Sequence, residues 1–270
     1  MVLFHLIDTL SMAQGSLRQM SKSDADKLTD FIRTTVQKAG AKGAVVGISG
    51  GVDSAVVAKL CADALGGENV LCVFMPTAVT SAEDYIQTKK MCQTWGINYN
   101  TVSIQPAVDA FSGMLLTGKE APLEKGNIMA RCRMIVLYDK AKKENYLVVG
   151  TTNRSELLMG YMTKFGDGAE DVMPMHGIYK TQVWELAKII GVPQEIIDKV
   201  PTAGLWEGQT DEEEMGITYH DLDIALSLME GGADDEAMAK SANISKEKAA
   251  EIRRQVACMK HKSGLAAVPE

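Results

Sequence analysis

Two short apolar runs, separated by one helix-length segment, leave this chain few possible folds. Residues 44–48 (AVVGI) and residues 70–75 (VLCVFM) are rich in β-branched residues and are bounded by glycine or proline, as is typical of buried strands. Residues 52–65 between them have helical spacing and end at Gly66, a suitable C-terminal cap. Because strands joined by a crossover helix pair in parallel, the sequence predicts an α/β fold with a parallel sheet.

The same alternation continues after the second run. Ser81 and Asp84 predict the capping box of a helix that runs to about Trp95, and residues 99–104 (YNTVSI) predict a third strand. Residues 127–143 then predict a long helix, whose apolar centre we expect to be buried on more than one face. Together these elements predict a Rossmann-like parallel sheet with helices on both faces.

The pattern changes after this long helix. Residues 146–149 predict a fourth strand, and everything beyond Tyr179 has helical spacing, which indicates a helical C-terminal cap on the sheet. We expect the acidic groups at residues 211–214 and 234–236 to be solvated loops or helix starts. The predicted organisation is one domain, residues 1–270, with an N-terminal extension (1–25), an α/β core (26–205) and a helical C-terminal part (206–270).

The composition argues against several classes of protein. Hydrophobic residues make up 46% and charged residues 23% of the chain, which argues against a disordered or fibrous protein. The 28 basic and 35 acidic residues give a net charge of −7, which disfavours nucleic acid or anionic lipid as a partner. Any bound anion must therefore meet local basic groups.

The cysteines and the hydropathy pattern favour a cytoplasmic protein. The five cysteines include no CxxC pair, and their odd number and wide spacing fit neither a disulfide framework nor a zinc site. No apolar run approaches the roughly 20 residues that a membrane helix needs. The first ten residues (MVLFHLIDTL) lack the basic segment and the cleavage signature of a signal peptide. We expect no membrane partner.

The sharpest functional signal is residues 47–54 (GISGGVDS), where the first strand turns into its helix. Glycines let the backbone approach an anion, and serine hydroxyls, successive N–H groups and the positive helix N-terminus can hold it. The segment lacks the lysine of a Walker A loop and the GxGxxG spacing of a dinucleotide fingerprint. The glycines alone are also compatible with a tight turn that a serine caps.

Asp53 makes this anion site more specific. A carboxylate inside a phosphate-binding loop repels the anion unless a cation lies between them, so we expect a magnesium-bridged triphosphate. The string SGGVDS also resembles the pyrophosphate loop of N-type ATP pyrophosphatases, which activate a carboxyl or carbonyl group as an adenylate. Several families share that loop.

Further motifs narrow the resemblance to one family. In chain order they are GNIMARCRM (126–134), GTTNRSEL (150–157), TKFGDG (163–168) with Asp171, YKTQV (179–183) with Leu186, PTAGLW (201–206), GQTDE (208–212) and the pair His261 and Lys262. With these motifs the chain resembles the ammonia-dependent NAD⁺ synthetases over about residues 26–262. The resemblance implies an adenine nucleotide alpha hydrolase-like fold.

The resemblance also implies a reaction. ATP adenylates the nicotinate carboxylate of deamido-NAD⁺, pyrophosphate leaves, and ammonia attacks the acyl adenylate to give NAD⁺ and AMP. A carboxylate is a poor electrophile, and adenylation supplies a good leaving group. The protein therefore has mainly to position two nucleotides and to neutralise phosphate charge. No nucleophilic side chain is required.

Site residues follow from the same resemblance, position by position. ATP would be held by Gly47, Ile48, Ser49, Gly50, Gly51, Val52, Asp53, Ser54, Thr151, Lys180 and Thr202. Mg²⁺ would be bound by Asp53 and Glu156. Deamido-NAD⁺ would be contacted by Arg131, Lys164, Asp171, His261 and Lys262. The residues closest to the chemistry would be Asp53, Glu156, Lys180 and Asp171.

Some of these residues have ordinary structural explanations as well. Glu156 could be a first-turn glutamate that the helix dipole favours, and Thr151 could cap the following helix. Arg131 and Arg133 are two positions apart and leave the helix on different faces, so at most one of them easily serves the same ligand. Glu170 occupies a position where we expected a small residue.

Residues 163–171 mix glycine with charged residues, and we expect a mobile loop that closes over the adenylate and excludes water.

The family resemblance also implies a homodimer. A fused glutaminase would need a domain of its own, and the first strand starts by about residue 44, so we expect free ammonia as the amide donor.

Four other functions are less compatible with the sequence. A GMP-synthetase-like subunit is disfavoured by the later motifs, and a tRNA thiolase by the acidic balance and the missing CxxC pair. A passive ATP-binding module of the stress-protein kind needs no second magnesium ligand, so Glu156 argues against it. Residues 234–260 superficially resemble a helix-turn-helix, but their acidic residues would face phosphate.

Overall fold

The computed structural model describes residues 17–115, 122–202, 204 and 208–264. Most of the predicted N-terminal extension (residues 1–16) and Trp206 of the PTAGLW motif lie outside the described residues. Within the described ranges, no helix is long and apolar enough to span a membrane.

The sheet has four parallel strands in the order β3-β2-β1-β4. The strands are β1 (Gly43–Gly47), β2 (Val70–Phe74), β3 (Asn98–Thr101) and β4 (Tyr146–Val148). The predicted parallel α/β architecture is therefore confirmed. The third strand is shorter than predicted because the chain leaves the sheet after residue 101 and starts a helix at residue 105.

Twelve α-helices are present in the described part of the chain. In chain order they are α1 (Lys22–Lys38), α2 (Val52–Leu65), α3 (Ala82–Thr94), α4 (Gln105–Leu115), α5 (Pro122–Glu144), α6 (Arg154–Met159), α7 (Lys180–Ile190), α8 (Gln194–Ile197), α9 (Asp211–Met215), α10 (Tyr219–Glu230), α11 (Asp235–Ser241) and α12 (Lys246–Met259). The predicted helix over residues 52–65 is confirmed at both ends. Ser81 accepts a hydrogen bond from the Asp84 N–H and so caps α3 as predicted.

Hydrophobic cores lie on both faces of the sheet. On one face, side chains of α1, α2, α3 and α7 pack against β1 and β2, with Ile32, Leu60 and Leu186 almost fully buried. On the other face, α4 and α5 cover the sheet, and Val108 and Met129 are buried there. The helices on both faces are thus as predicted.

The expectation that α5 is buried on more than one face is wrong. Ile135, in the apolar centre of this helix, is 55% exposed. Helix α5 lies on the outer surface of the sheet face, so only one side of it meets the core. The apolar residues on its other side form part of an exposed apolar surface.

The C-terminal helices form a separate core, as the predicted helical cap requires. Leu222, Leu226, Met238 and Ile252 from α10, α11 and α12 are buried together. This core also takes in Met159 at the end of α6, because α10 and α12 both pack on α6. The cap therefore rests directly on a helix that begins beside the carboxyl end of the sheet.

Candidate active site

The predicted pyrophosphate loop, residues 47–54, connects β1 to α2 at the carboxyl end of the sheet. Its serines fold it back on itself: the Ser49 N–H donates to Ser54 Oγ at 3.2 Å, and Ser54 Oγ donates to the Gly51 carbonyl at 3.0 Å. These bonds shape the loop around the first turn of α2.

The N-terminus of α2 has no side-chain cap, whereas several other helices of the protein have one. A side-chain oxygen at the N-cap accepts a backbone N–H in α3, α6, α9, α10 and α12. Helix α2 has glycine at its N-cap, Gly51, and no side-chain cap. Its first N–H groups are thus left for another acceptor, which is the arrangement that binds phosphate at helix N-termini.

Lys180 lies at the centre of the predicted metal site. Its side chain is 3% exposed, and its Nζ pairs with Asp53 Oδ2 and lies 3.8 Å from Glu156 Oε1. Burial lowers the pKa of Lys180, but the carboxylates of Asp53 and Glu156 outweigh it and raise the pKa overall. Burial, together with the charge of Asp53, raises the pKa of Glu156 well above its usual range. Lys180 thus supplies the positive charge that keeps two neighbouring carboxylates together.

The two carboxylates come from different helices and are held by local structure. Glu156 stands in the first turn of α6, where Asn153 and Glu156 form a capping box. Asn153, fully buried, also donates from Nδ2 to Asp53 Oδ1 at 2.9 Å. The helix cap of α6 is therefore tied to the pyrophosphate loop.

A third carboxylate lies beside this pair. Asp211 begins α9, so the expected helix start is confirmed, but the residue is only 3% exposed and is not solvated. Its Oδ2 accepts a 3.0 Å hydrogen bond from the Tyr219 hydroxyl, and the Tyr219 ring lies under Lys180 Nζ at 5.2 Å. Burial raises the pKa of Asp211, and the charge of Lys180 opposes that rise. Of the next three acidic residues, Glu212 is half-buried, and Glu213 and Glu214 are exposed.

Asp223, on α10 of the C-terminal core, fixes the two helices that carry Glu156 and Lys180. Its fully buried carboxylate accepts from Ser155 Oγ at 2.5 Å and from the N–H and hydroxyl of Thr181, both at 2.8 Å. Ser155 Oγ in turn accepts from the Lys180 N–H at 3.0 Å. Burial raises the pKa of Asp223 to about 6. One carboxylate thus sets the relative position of the N-termini of α6 and α7.

A cavity of about 580 Å³ opens over these groups, a size typical of ligand sites. Among the predicted site residues, those that line it are Gly47, Ile48, Ser49, Gly50, Gly51, Val52, Asp53, Ser54, Thr151, Glu156, Lys180, Thr202 and Lys262. The predicted ATP and metal residues thus line one cavity.

Four of the residues predicted to contact deamido-NAD⁺ lie outside this cavity wall. Arg131 donates to the Lys164 carbonyl at 3.3 Å, and Lys164 Nζ donates to the His261 carbonyl at 2.7 Å. These three residues form a basic cluster on the outer side of residues 163–171. Asp171 also lies outside the cavity wall. Its Oδ2 accepts a hydrogen bond from the Val148 N–H at 2.9 Å, which anchors the loop to the end of β4. Their contact with substrate stays a prediction.

Residues 163–171 are held by hydrogen bonds within the segment and to α5. The Thr163 N–H donates to Asp167 Oδ1 at 2.8 Å, and Thr163 Oγ1 donates to Asn127 on α5 at 2.8 Å. Glu170 points into the cavity wall, with both carboxylate oxygens enclosed and without a hydrogen bond. It lies so close to Gly150 that a Cβ there would be 1.9 Å from Oε2. Burial and the charge of Asp167 raise the pKa of Glu170 to about 8.

Sequence reasoning missed several residues of this site. Arg133 rather than Arg131 lines the cavity, which agrees with the expectation that the two arginines leave α5 on different faces. Asn153 and Asp211 lie within quoted motifs, but nothing in their spacing showed that they would be buried. Asp223 lies in no motif, and its only signal is a carboxylate on the apolar side of a helix.

The fold, with a cavity at the carboxyl ends of its strands, is that of a Rossmann-like α/β protein, a class whose ligands bind at this edge of the sheet. A sequence model described as NAD synthase matches residues 25–266, and the chain belongs to this family.

Similar proteins agree with this assignment. The chain is 44% identical to the NH₃-dependent NAD⁺ synthetase of Methanosarcina acetivorans over 247 residues, which are 91% of this chain and 96% of that protein. Its structure is similar to that of an NMN synthetase from Francisella tularensis, with a TM-score of 0.81, 37% identity and coverage of 93% and 99% of the two chains. It is also similar to an NH₃-dependent NAD synthetase from Campylobacter jejuni, with a TM-score of 0.77, 29% identity and coverage of 93% and 100%.

Proposed function

We propose that this protein is a ligase that amidates deamido-NAD⁺ with ammonia at the expense of ATP. The nicotinate carboxylate attacks the α-phosphorus of ATP and expels pyrophosphate, and ammonia then displaces AMP from the acyl carbon. The observation that carries this proposal is the placement of Asp53, Glu156 and Lys180 beside a phosphate-binding loop. The names of the curated relatives support ammonia as the nitrogen donor.

The donor atoms suit Mg²⁺. Asp53 and Glu156 offer hard carboxylate oxygens that meet the same ammonium group, and each side chain is 17% exposed. The described residues contain no group of three or more ligating side chains that could hold a metal by themselves. Mg²⁺ commonly binds through one or two carboxylates together with substrate phosphates, so two protein ligands are enough. When bound, the ion would offset the charge of the phosphate chain.

The chain's own residues have separate tasks in this proposal. The uncapped N–H groups of α2 bind phosphate, and Lys180 stabilises the charge that develops on the departing pyrophosphate. Thr151 and Thr202 line the same cavity and contact ATP. Arg131, Lys164, His261 and Lys262 bind the anionic dinucleotide from the side of the basic cluster, and Asp171 holds the loop that carries Lys164 to β4.

A mass-spectrometric assay tests the function. We expect purified protein with deamido-NAD⁺, ATP, Mg²⁺ and ammonium to form NAD⁺ and AMP in equal amounts, and glutamine in place of ammonium to give little product. Omission of ammonium is the control. Formation of AMP without NAD⁺ in the complete mixture would overturn the proposed amidation.

A mononucleotide is a second candidate acceptor, because the chain shares 37% identity with a protein described as an NMN synthetase. The same assay with nicotinate mononucleotide decides between them. A higher kcat/KM for the mononucleotide than for deamido-NAD⁺ would reassign the substrate and leave the chemistry unchanged.

We also propose a homodimer, formed through α4 and α5. These helices present exposed apolar side chains: Phe111, Met114, Leu115, Leu123 and Ile135 are 41 to 72% exposed. Such a patch is typical of an interface. We expect light scattering at micromolar concentration to give twice the 29.2 kDa of the chain, and Ile135→Asp to lower this mass. Ile86→Asp, at a 57% exposed isoleucine on α3, is the matched control. A monomeric wild type would contradict the proposal.

Residues 163–171 are proposed to close over the acyl adenylate. Phe165 in this segment is 53% exposed and is a suitable chymotrypsin site. We expect fast cleavage there in the free protein, and protection by deamido-NAD⁺ with a non-hydrolysable ATP analogue. Lys164→Ala should slow amide formation more than it weakens ATP binding. Phe111, within helix α4, is the internal control. Equal cleavage at residue 165 with and without both ligands would show a static surface loop.

The five cysteines of the chain are all unpaired, which supports a reducing compartment, and we propose the cytoplasm.

We further propose that residues 1–270 act as one domain, since the α/β core and the helical part both contribute to the site. Lys262 from the helical part lines the cavity, and Asp223 positions the helices of Glu156 and Lys180.

A further inference from the structure

Lys199 and Asp84 form an ion pair at the opposite end of the pyrophosphate loop from Lys180. Lys199 follows α8, and its Nζ donates to Asp84 Oδ1 at 2.6 Å and to the Gly50 carbonyl at 3.3 Å. Both side chains are 28% exposed and line the same cavity as the loop. Neither residue belongs to the site that the sequence predicted.

The Asp84 carboxylate lies directly against the loop backbone. Gly50 has φ +92°, and a Cβ on this residue would lie 2.9 Å from Asp84 Oδ1. A negative charge so close to the loop would repel a triphosphate unless a cation compensated for it. Lys199 supplies that cation at hydrogen-bond distance.

The ammonium group of Lys199 retains binding capacity toward the cavity. An ammonium group has three N–H donors, and two of them are used by Asp84 and Gly50. The structure gives the third donor no acceptor among the described residues. The two existing bonds hold the ammonium at the cavity wall, so the entropy cost of a further contact is low.

We propose that Lys199 is a phosphate-binding residue that contacts the phosphate chain of ATP at the Gly50 end of the loop. Lys180 contacts the same chain at the Asp53 end, and Asp84 orients Lys199. The inference rests on the proposed use of ATP. The two lysines that flank the loop would together stabilise the negative charge of the departing pyrophosphate.

A purely structural ion pair would behave differently from a phosphate contact. If the pair only braces the loop, loss of either partner breaks it, and Asp84→Asn and Lys199→Met have the same effect. If Lys199 contacts phosphate, its loss weakens binding. Loss of the Asp84 charge then removes a repulsion and leaves the lysine in place.

The test measures KM for ATP and, by calorimetry, the affinity for inorganic pyrophosphate with Mg²⁺. We expect Lys199→Met to raise both KM and the Kd for pyrophosphate about 10-fold, the scale of one charge-assisted hydrogen bond. Asp84→Asn should leave both within about twofold of wild type, or lower. Lys199→Arg should recover part of the loss, and Lys188→Met, at an exposed lysine on α7, is the control.

Two results would overturn the inference. One is wild-type affinity for pyrophosphate in Lys199→Met, and the other is an equal loss in Lys199→Met and Asp84→Asn. Thermal melts of all four variants separate a folding defect from a binding defect. If Lys199→Met has a lowered melting temperature, Lys199→Arg, which keeps the charge, still tests the phosphate contact. A wild type that binds neither ATP nor pyrophosphate would refute the proposed function as well.

Discussion

Replacing Asp53 with Asn, or Glu156 with Gln, should lower the rate of NAD⁺ formation by about 100-fold or more. Removal of one group that stabilises charge in an active site typically has an effect of this size. Each amide keeps the volume of the acid but loses the charge that would bind Mg²⁺ and that now pairs with Lys180. Both variants should stay folded, because Lys180 retains one carboxylate and its contact with the Tyr219 ring. Initial rates at saturating ATP, with circular dichroism of each variant, provide the measurement.

The control for this prediction is Asp63→Asn. Asp63 lies on the same helix as Asp53, is 38% exposed and pairs with Lys59 at the surface, where such a pair contributes little. This variant should have the wild-type rate. Near-normal turnover in either site variant would refute the assignment of two carboxylate ligands, and a raised Mg²⁺ requirement in both would support it.

Replacing Asp223 with Ala should destabilise the protein by about 3 kcal/mol and reduce turnover about 10-fold or more. The change leaves the Ser155 hydroxyl and the N–H and hydroxyl of Thr181 without their acceptor, and each buried unpaired polar group costs about 1–3 kcal/mol. Turnover falls because these donors hold the N-termini of α6 and α7. Urea unfolding followed by tryptophan fluorescence gives the free energy of unfolding.

Asp221→Ala is the matched control for this second prediction. Asp221 lies in the first turn of the same helix and accepts a hydrogen bond from the Thr218 hydroxyl at the surface, so its loss should cost at most about 0.5 kcal/mol. If Asp223→Ala is destabilised but has normal kcat and normal Mg²⁺ dependence, Asp223 has a structural role only.

The sequence predicted what short-range patterns encode. The strands β1 and β2 were recognisable because they are continuous apolar runs bounded by glycine or proline, and the start of α3 because Ser81 caps it. The loop at residues 47–54 was predictable because its glycines and serines are adjacent in the chain. In each case the residues that decide the structure lie within a few positions of one another.

Long-range pairing could not be predicted in this way. Ser155 meets Asp223 across 68 positions, and Asp84 meets Lys199 across 115. A buried carboxylate has the same sequence appearance as a solvated one, which is why the burial of Asp211 was not predicted. The exposure of Ile135 was not predicted because an apolar side chain suggests burial, although apolar atoms also form much of a protein's surface.

Helix α6 packs between α7, which belongs to the sheet core, and helices α10 and α12 of the helical core, and this has a thermodynamic consequence. A ligand that binds only the folded cavity stabilises the protein by RT ln(1 + [L]/Kd), and residues from both cores line that cavity. Unfolding of either core alone would destroy the binding site, so the whole binding free energy opposes partial as well as complete unfolding. A bound nucleotide therefore acts as a reversible cross-link between the two cores, and its concentration sets how cooperatively they unfold.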